Sequence, residues 1–207
     1  MSQIILDFSG GNTCLNDQNI IRQMIDELRQ VDSGKHEITI KWQLFKEAGD
    51  NIPLAWDNFI FARYYAADKG YRTTASVFDK ASLNFLLQFE IPFVKLANNK
   101  DLNYLIGLVP RKVPVYQSFG NIEDSRHIRY VDETLYCISE YPASVAQYEY
   151  QFGSLLRLGI SDHANSCELF KKYSPRIYET HYRLENSIGL DAGEFAKTAK
   201  QLQEVIE

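Results

Sequence analysis

Short apolar runs alternate with longer helix-type stretches along the whole chain, and this alternation constrains the fold more than any other feature. A short apolar run between turn residues is typical of a buried strand, and apolar residues at helical spacing are typical of an amphipathic helix. Eight strands are predicted over Ile4–Phe8, Glu37–Gln43, Tyr71–Ser76, Pro92–Leu96, Val113–Ser118, Glu133–Ser139, Leu156–Ser161 and Arg176–His181. Helices are predicted from an Asn16 or Asp17 cap to Val31 and over Pro53–Lys69, Asp79–Phe89, Asp101–Val109, Ala143–Phe152, Ala164–Tyr173 and Asp191–Val205, whereas the stretch Asn121–Tyr130 is polar and poorly periodic.

This order of elements predicts an α/β fold. Strands that alternate with helices through short connections are parallel and joined by right-handed crossovers. Eight repeats of about 26 residues fit a small closed (β/α)8 TIM barrel better than an open, doubly wound sheet, which is the structural alternative. No linker or low-complexity run divides the 207 residues. We therefore expect one compact domain over residues 1–207.

Charge and composition exclude several functional classes. The net charge is −5 and there is no basic run, so a nucleic-acid partner is not expected. No apolar stretch reaches about 18 residues, and the first residues do not resemble a signal peptide, so we expect no membrane association and a cytoplasmic location. The three cysteines are widely spaced and odd in number, which favours reduced thiols over a disulfide framework.

Polar residues follow nearly every predicted strand. Catalytic groups of a TIM barrel lie at the carboxyl ends of its strands, where the side chains of all eight strands meet at one mouth. The residues at these ends are Asp7, Lys41, Gln43, Ser76, Lys95, Asn98, Ser118, Ser139, Tyr141, Ser161, Asp162, His163, Glu179 and His181. Lysines, hydroxyl groups and histidines at one mouth predict a site for a polyanion and a metal ion.

Two histidines come from adjacent strand ends. His163 follows the seventh predicted strand and His181 ends the eighth. Because neighbouring strands are about 4.8 Å apart, two such imidazoles can share one ion. Two nitrogens completed by oxygen ligands suit a divalent cation such as Mn²⁺. The alternative is that each histidine has a structural role only.

Two lysines lie inside apolar strands. Lys41 and Lys95 occupy positions that should be buried, and a buried lysine is costly unless it is paired. A bound anion is one explanation, with nearby hydroxyl groups as further donors. A Schiff-base lysine and a salt bridge to Asp7 or Glu179 are the alternatives.

Several segments match known motifs in the same order along the chain. Gly159–His163 and Tyr178–Tyr182 resemble the Gly-Leu-Ser-Asp-His and Glu-x-His-Phe motifs of the sialic acid synthase (N-acetylneuraminate synthase) family. Ile40–Gln43 resembles its Val-Lys-Phe-Gln, Val94–Ala97 its Tyr-Lys-Ile-Ala, and Cys137–Pro142 its Cys-x-x-x-Tyr-Pro. No single motif is decisive, but the ordered set is specific.

The resemblance implies a TIM-barrel enzyme that condenses phosphoenolpyruvate with an N-acetyl sugar and releases phosphate, with Mn²⁺ or Mg²⁺ as cofactor. It implies that His163 and His181 are the metal ligands. By the same resemblance, the catalytic residues are Asp7, Lys41 and Lys95, and the substrate-binding residues are Lys41, Gln43, Ser76, Lys95, Asn98, Ser118, Ser139, Tyr141 and Ser161.

The sequence also departs from the family pattern. Asp7 replaces the opening Glu, Asn98 replaces a Ser, Ser139 replaces an Asn, and Arg183–Leu190 lacks a Gly-Pro-Asp triplet that helps to bind the sugar. The phosphate and metal positions are kept, whereas most sugar-binding positions differ. Either the acceptor is another sugar or aldehyde, or a different reaction is run on another small molecule. A catalytically idle barrel that binds a sugar phosphate or a partner protein is the remaining alternative.

The resemblance covers the catalytic barrel only, and we expect no counterpart of the family's C-terminal antifreeze-like domain. An uncovered mouth would expose the bound substrate to water, so we expect a homodimer or a partner chain to cover it. Five aromatic residues are expected near the rim, namely Trp42, Phe45, Phe119, Tyr141 and Tyr182.

Overall fold

The computed structural model describes residues 1–46, 50–120, 130–152 and 159–206, and eight parallel strands in it form one closed barrel in the order of the chain. The strands are β1 (Gln3–Ser9), β2 (Glu37–Leu44), β3 (Arg72–Val77), β4 (Val94–Leu96), β5 (Val115–Phe119), β6 (Glu133–Cys137), β7 (Gly159–Asp162) and β8 (Ile177–His181). The helices are α1 (Gly11–Cys14), α2 (Gln18–Val31), α3 (Trp56–Asp68), α4 (Lys80–Leu86), α5 (Val145–Phe152), α6 (Glu168–Tyr173) and α7 (Ala199–Ile206), with 3₁₀ segments over Lys100–Leu108 and Leu190–Ala192. The predicted (β/α)8 TIM barrel is confirmed, and the open sheet is excluded.

Closure of the barrel sets the height of the functional residues. β1 pairs with both β2 and β8, so that Asp7 lies opposite Lys41 on one side and His181 on the other. On β7, Ser161 lies opposite Glu179 of β8. These side chains therefore occupy one level near the carboxyl ends of the strands.

A small apolar layer fills the barrel below that level. It consists of Ile5, Phe93, Leu135 and Ile177, all fully buried, with Tyr116 packed against them. The rings of Phe93 and Tyr116 stack with their centroids 4.0 Å apart. Two residues further along each strand, the inward positions are polar: Asp7, Lys95, Cys137 and Glu179 line a cavity. The site thus stands on a packed base.

The outer helices follow the predicted apolar stripes. In α2 the side chains of Ile21, Met24, Ile25 and Leu28 are buried against the barrel, and the Asp17 carboxylate caps the helix by accepting from the amide of Asn19 at 2.7 Å. The apolar spacing therefore predicted this helix and its start correctly.

Two local predictions were wrong. The stretch predicted as a helix over Asp101–Val109 is a 3₁₀ segment capped by Asn99. The final helix does not begin at Asp191: Gly189 has a φ of 104°, Gly193 follows the short 3₁₀ segment, and α7 begins only at Ala199. Glycine disfavours a continuous helix because it gains the most conformational freedom outside one.

Two sequence predictions fall wholly or partly outside the described residues. These are most of the polar segment Asn121–Tyr130 and the first half of the strand predicted over Leu156–Ser161. In the part of the chain that is described, none of the helices has the length and apolar character needed to cross a membrane. The cytoplasmic location stays a prediction.

Candidate active site

All twelve residues predicted for the site line one cavity of about 350 Å³ at the carboxyl ends of the strands. They are Asp7, Lys41, Gln43, Ser76, Lys95, Asn98, Ser118, Ser139, Tyr141, Ser161, His163 and His181. The barrel geometry brings them together because each lies at, or just beyond, the end of an inward-facing row on its strand. Five further residues complete the lining: Phe78, Ala97, Cys137, Glu179 and Asp191.

Four buried charges form the bottom of this cavity, and we call Asp7, Lys41, Lys95 and Glu179 the charged floor. Lys41 Nζ lies 2.7 Å from Asp7 Oδ2 and 3.2 Å from Glu179 Oε1. It also donates to Ser76 Oγ at 3.0 Å. Lys41 thus lies between two carboxylates. This agrees with one of the alternatives given by the sequence, a salt bridge to Asp7 or Glu179.

Lys95 has a weaker set of partners. Its Nζ donates to Ser118 Oγ at 2.6 Å and to the carbonyl of Leu96 at 3.2 Å, while Glu179 Oε2 lies 3.5 Å away. Among the described residues, Glu179 Oε2 is a buried atom that accepts no hydrogen bond. Glu179 therefore bridges the two lysines, with one oxygen well placed on Lys41 and the other poorly satisfied near Lys95.

The pKa directions follow from these distances. Burial lowers the pKa of Lys95, and the lysine at position 41 lowers it further, although Glu179 raises it. Burial acts in the same direction on Lys41, but Asp7 and Glu179 raise its pKa above the ordinary value. Burial would raise the pKa of Glu179, and the two lysines lower it instead. With both carboxylates ionised, the charged floor has no net charge.

Asp7 is fully engaged inside the floor. Its Oδ2 accepts from Lys41 and from Gln43 Nε2 at 2.9 Å, and its Oδ1 accepts from the amide of Ser9 at 2.9 Å. Burial would raise the pKa of Asp7, but Lys41 and His181 lower it well below the usual value. Asp7 is one methylene shorter than the Glu of the family motif, but its carboxylate still contacts Lys41.

The two histidines stand on the wall beside the floor. The rings of His163 and His181 lie 5.6 Å apart between centroids. His163 Nδ1 donates to the carbonyl of Ile138 at 2.5 Å, so Nε2 carries the lone pair, with the hydroxyl groups of Tyr141 and Ser161 3.3 Å and 3.5 Å from it. Burial and the neighbouring His181 lower the pKa of His163 to about 3, which keeps its ring neutral. His181 Nδ1 lies 3.3 Å from Ser9 Oγ.

This pair fits a metal ion that takes the rest of its ligands from outside the protein. A ligating imidazole must be neutral, and its second nitrogen is commonly fixed by a carbonyl or hydroxyl, as both rings show here. Within the described ranges, no group of three or more His, Cys, Asp or Glu side chains converges as a complete metal site. His163 and His181 could therefore hold an ion only together with oxygen atoms of water or substrate.

Asp191 is the functional candidate that the sequence interpretation missed. It was predicted as a helix cap, but it lines the cavity near His181. Asn12 Nδ2 donates to Asp191 Oδ2 at 3.3 Å and to Asn51 Oδ1 at 3.3 Å. Gly189, two residues earlier, has a φ of 104°, a backbone conformation that favours glycine, and this glycine is a signal in the sequence for a turn before Asp191.

Two departures from the family motif meet each other in space. Asn98 Nδ2 donates to Ser139 Oγ at 3.1 Å across the ends of β4 and β6. The family has the hydroxyl residue on the first strand and the amide on the second, so the two groups have changed places. A hydrogen bond therefore joins two of the positions at which this chain departs from the family motifs.

The rim contains fewer of the expected aromatic residues than the sequence suggested. Tyr141 is 53% exposed and stacks on His163 with centroids 4.2 Å apart. Trp42, Phe119 and Tyr182 are instead buried in the core, because their side chains point outward from the barrel toward the helices. The prediction that they lie at the rim was wrong.

The comparison with protein families can now be set beside this geometry. A model of the NeuB family matches residues 17–207. The chain belongs to the NeuB family. This confirms the resemblance to sialic acid synthases that the motifs indicated. No curated protein matches the sequence.

Solved structures share the fold of this NeuB family chain. N-acetylneuraminic acid (sialic acid) synthetase from Leptospira borgpetersenii serovar Hardjo-bovis, in complex with citrate, aligns with a TM-score of 0.75 at 22% identity over 98% of this chain and 80% of its own. A putative spore coat polysaccharide biosynthesis protein E from Chromobacterium violaceum gives 0.81 at 17% identity over 99% and 72%. A truncated 3-deoxy-D-arabino-heptulosonate 7-phosphate synthase from Thermotoga maritima gives 0.64 at 11% identity over 100% and 84%.

Proposed function

We propose that this NeuB family chain is a transferase that condenses phosphoenolpyruvate with an aldehyde acceptor, an N-acetyl sugar in its open-chain form, and releases phosphate. One observation carries the proposal: the charged floor and the histidine pair lie in the same cavity. Its volume of about 350 Å³ is within the range of small-molecule sites. This arrangement would put an anionic substrate beside a polarised carbonyl.

The two lysines are the proposed anion-binding groups. Among the described residues, Lys95 Nζ donates to two neutral oxygens and has a carboxylate oxygen 3.5 Å away, so an arriving phosphate or carboxylate can take the place of that carboxylate. Ser118 and Ser161 offer hydroxyl groups to the same anion. Because Lys95 is 2% exposed, its attraction for an anion is not screened by solvent.

Charge balance supports the use of a metal. Phosphoenolpyruvate has a charge close to −3 at neutral pH, since its phosphate has a second pKa of about 6. The charged floor is neutral, so it cannot balance this charge alone. When bound, Mn²⁺ or Mg²⁺ supplies Lewis acidity that polarises the acceptor's carbonyl oxygen. His163 and His181 would hold the ion through their Nε2 atoms.

The bonds change as follows in the proposed reaction. C3 of phosphoenolpyruvate forms a bond to the carbonyl carbon of the acceptor, whose oxygen takes up a proton. Water adds to the cationic C2 and loses a proton, which we assign to Glu179 because Oε2 is a buried base without a hydrogen-bond donor among the described residues. The bond between C2 and the phosphate oxygen then breaks while the C2 hydroxyl becomes the ketone carbonyl and passes its proton to the departing phosphate, which Lys41 and Lys95 stabilise. Asp191, which lines the same cavity and is only partly buried, would accept from hydroxyl groups of the acceptor.

Phosphate release tests this proposal. Purified protein is incubated with phosphoenolpyruvate, Mn²⁺ and a panel of N-acetyl sugars, and inorganic phosphate is measured. The double variant His163→Ala/His181→Ala should lose both turnover and Mn²⁺ binding. The matched control is His36→Ala, because His36 packs on Phe170 outside the cavity. Unchanged Mn²⁺ affinity in the double variant would refute the metal assignment.

One observation favours the second candidate, a barrel that binds a sugar phosphate or partner without turnover. Both lysines already have carboxylate partners within the charged floor, as a purely structural array would. The same assay separates the two functions. Phosphoenolpyruvate that binds in the presence of Mn²⁺ but releases no phosphate with any acceptor would support the idle barrel.

We further propose that a second copy or another chain covers the mouth. Tyr141 lines the cavity and Leu190 precedes the cavity residue Asp191; their side chains are 53% and 54% exposed, which gives a partner apolar surface to contact. A homodimer is the simplest form, because two-fold pairs are the commonest soluble oligomers. Sedimentation at micromolar concentration tests this. A monomer that still turned over phosphoenolpyruvate would contradict it.

A further inference from the structure

One phenol oxygen forms hydrogen bonds with the backbone of the segment that contains His163. Tyr148 lies on α5 and is fully buried behind β6 and β7. Its hydroxyl donates to the carbonyl of Ser161 at 2.8 Å and accepts from the amide of His163 at 2.9 Å. It also accepts from the amide of Ile138 at 3.4 Å. A phenol has one donor and two acceptor sites, so this oxygen is fully used.

These three contacts surround the imidazole of His163. The carbonyl of Ile138 accepts from His163 Nδ1, while the amide of the same residue donates to Tyr148. The phenol therefore binds the backbone of His163 and the backbone of Ile138, the residue whose carbonyl accepts from His163 Nδ1. Ser161, whose hydroxyl faces the cavity, is fixed by the same oxygen through its carbonyl.

The contacts lie beyond the end of regular strand pairing. His163 follows the last residue of β7, and Ile138 follows the last residue of β6, so the barrel ladder no longer orders their amides. Apart from Tyr148, the backbone of His163 is held by the amide of Ala143, which donates to its carbonyl at 2.9 Å. Burial also raises the pKa of Tyr148, so its hydroxyl stays protonated and its donor role is constant.

We propose that Tyr148 is a positioning residue that holds His163 and Ser161 in the geometry needed at the cavity, through its phenol oxygen and without touching substrate. The consequence for metal binding rests on the proposed function. The consequence for the ring of His163 does not, because it concerns the metal-free protein. The two consequences can therefore be tested separately.

The chain offers a matched control. Tyr136 packs edge-on against Tyr148, with ring centroids 5.8 Å apart and an interplanar angle of 85°. It is also fully buried, but its hydroxyl has no hydrogen-bond partner among the described residues. Tyr136→Phe and Tyr148→Phe thus remove the same atom from neighbouring rings, and only the second removes the contacts to His163.

The first measurement is Mn²⁺ affinity, obtained by titration with detection of free Mn²⁺ by electron paramagnetic resonance. Tyr148→Phe should weaken binding about 10-fold, since groups that orient a metal ligand typically contribute this much. Tyr136→Phe should bind within about twofold of wild type, because no ligand-orienting contact is lost. If both variants bind Mn²⁺ as tightly as wild type, the inference is wrong.

The second measurement needs no metal. Nitrogen-15 labelling of histidine and long-range proton–nitrogen spectra should show one tautomer of His163, protonated at Nδ1, in wild type and in Tyr136→Phe. Tyr148→Phe should show a mixture of tautomers or a broadened signal. A single unchanged tautomer in that variant would overturn the inference. A wild-type protein that bound no Mn²⁺ would refute the metal part of the proposed function. The tautomer measurement would then test the positioning role of Tyr148 by itself.

If Tyr148→Phe does not fold, the metal-free wild-type protein still decides. Its Tyr148 hydroxyl proton should exchange slowly with water and give a nuclear Overhauser effect to the amide proton of His163. A rapidly exchanging hydroxyl without that contact would contradict the inference.

Discussion

Glu179 is the position at which the charged floor can be tested most directly. Glu179→Gln keeps the volume of the side chain and removes one of two buried negative charges. Lys41 keeps Asp7 at 2.7 Å, so the loss falls mainly on Lys95, whose remaining partners are neutral. Removing one partner from a buried ion pair lowers the free energy of unfolding by about 3–5 kcal/mol. Because Lys41 keeps its contact with Asp7, we expect Glu179→Gln to lose about 3 kcal/mol.

The free energy of unfolding is measured by urea denaturation, since urea adds no salt that would screen the charges. The matched control is Glu37→Gln. Glu37 pairs with Arg72 at 3.4 Å on the surface, with side chains 51% and 59% exposed, and this variant should lose less than about 1 kcal/mol.

A second experiment measures how inorganic phosphate changes the free energy of unfolding of the same variants. An anion can replace the missing carboxylate beside Lys95, so phosphate should stabilise Glu179→Gln more than wild type. At 100 times its dissociation constant a ligand adds about 2.7 kcal/mol, which is within the resolution of the method. A Glu179→Gln variant as stable as Glu37→Gln, with no added response to phosphate, would refute the description of the floor as a buried ion-pair array.

Four further results are expected. Exchange of the two rim groups in the double variant Asn98→Ser/Ser139→Asn should preserve stability and phosphate binding better than either single variant, as measured in a double-mutant cycle. Gly159→Ala should lower stability by about 1–3 kcal/mol in urea denaturation, because its Cβ would lie 2.9 Å from Leu135 Cγ. Burial raises the pKa of the three thiols to about 11 or about 12, so a disulfide reagent at pH 8 should label none in the native protein and three after unfolding. Mn²⁺ should tighten phosphate binding about 10-fold in calorimetry, and phosphate should tighten Mn²⁺ binding by the same factor.

The barrel fold and most of the residues that line the cavity could be predicted from the sequence, because both predictions depend on short-range patterns of apolar and polar residues. Alternation of strand and helix indicates parallel strands, eight such repeats favour a closed barrel over an open sheet, and in a closed barrel an inward-facing residue at a strand end faces the mouth. Lys41, Lys95 and His181 were placed correctly on this argument alone. The hydrogen bond between Asn98 and Ser139 could not be predicted, since it depends on which side chains meet across two strands that are distant in sequence.

The contacts of Glu179 with both lysines and the position of Asp191 in the cavity could not be predicted from the sequence, for different reasons. The bridge from Glu179 to both lysines spans three strands, β2, β4 and β8, and only the diameter and stagger of the barrel determine whether one carboxylate reaches both. Asp191 lies in a loop whose course is set by Gly189 and by a hydrogen bond to Asn12, some 179 positions earlier in the chain. Neither contact has a local signature in the sequence.

The expected reciprocity between Mn²⁺ and phosphate follows from the charge of the site. The charged floor is neutral, so a phosphate dianion that displaces nothing would leave two uncompensated negative charges in a cavity whose lysines are 2% exposed. A divalent cation beside His163 and His181 would compensate them, because these rings line the same cavity. Each ion therefore improves the environment of the other, and linkage requires the two effects to be equal in free energy. Equal phosphate affinity with and without Mn²⁺ would show that the floor balances the anion by itself, through protonation or displacement of Glu179, and would remove the electrostatic argument for a metal.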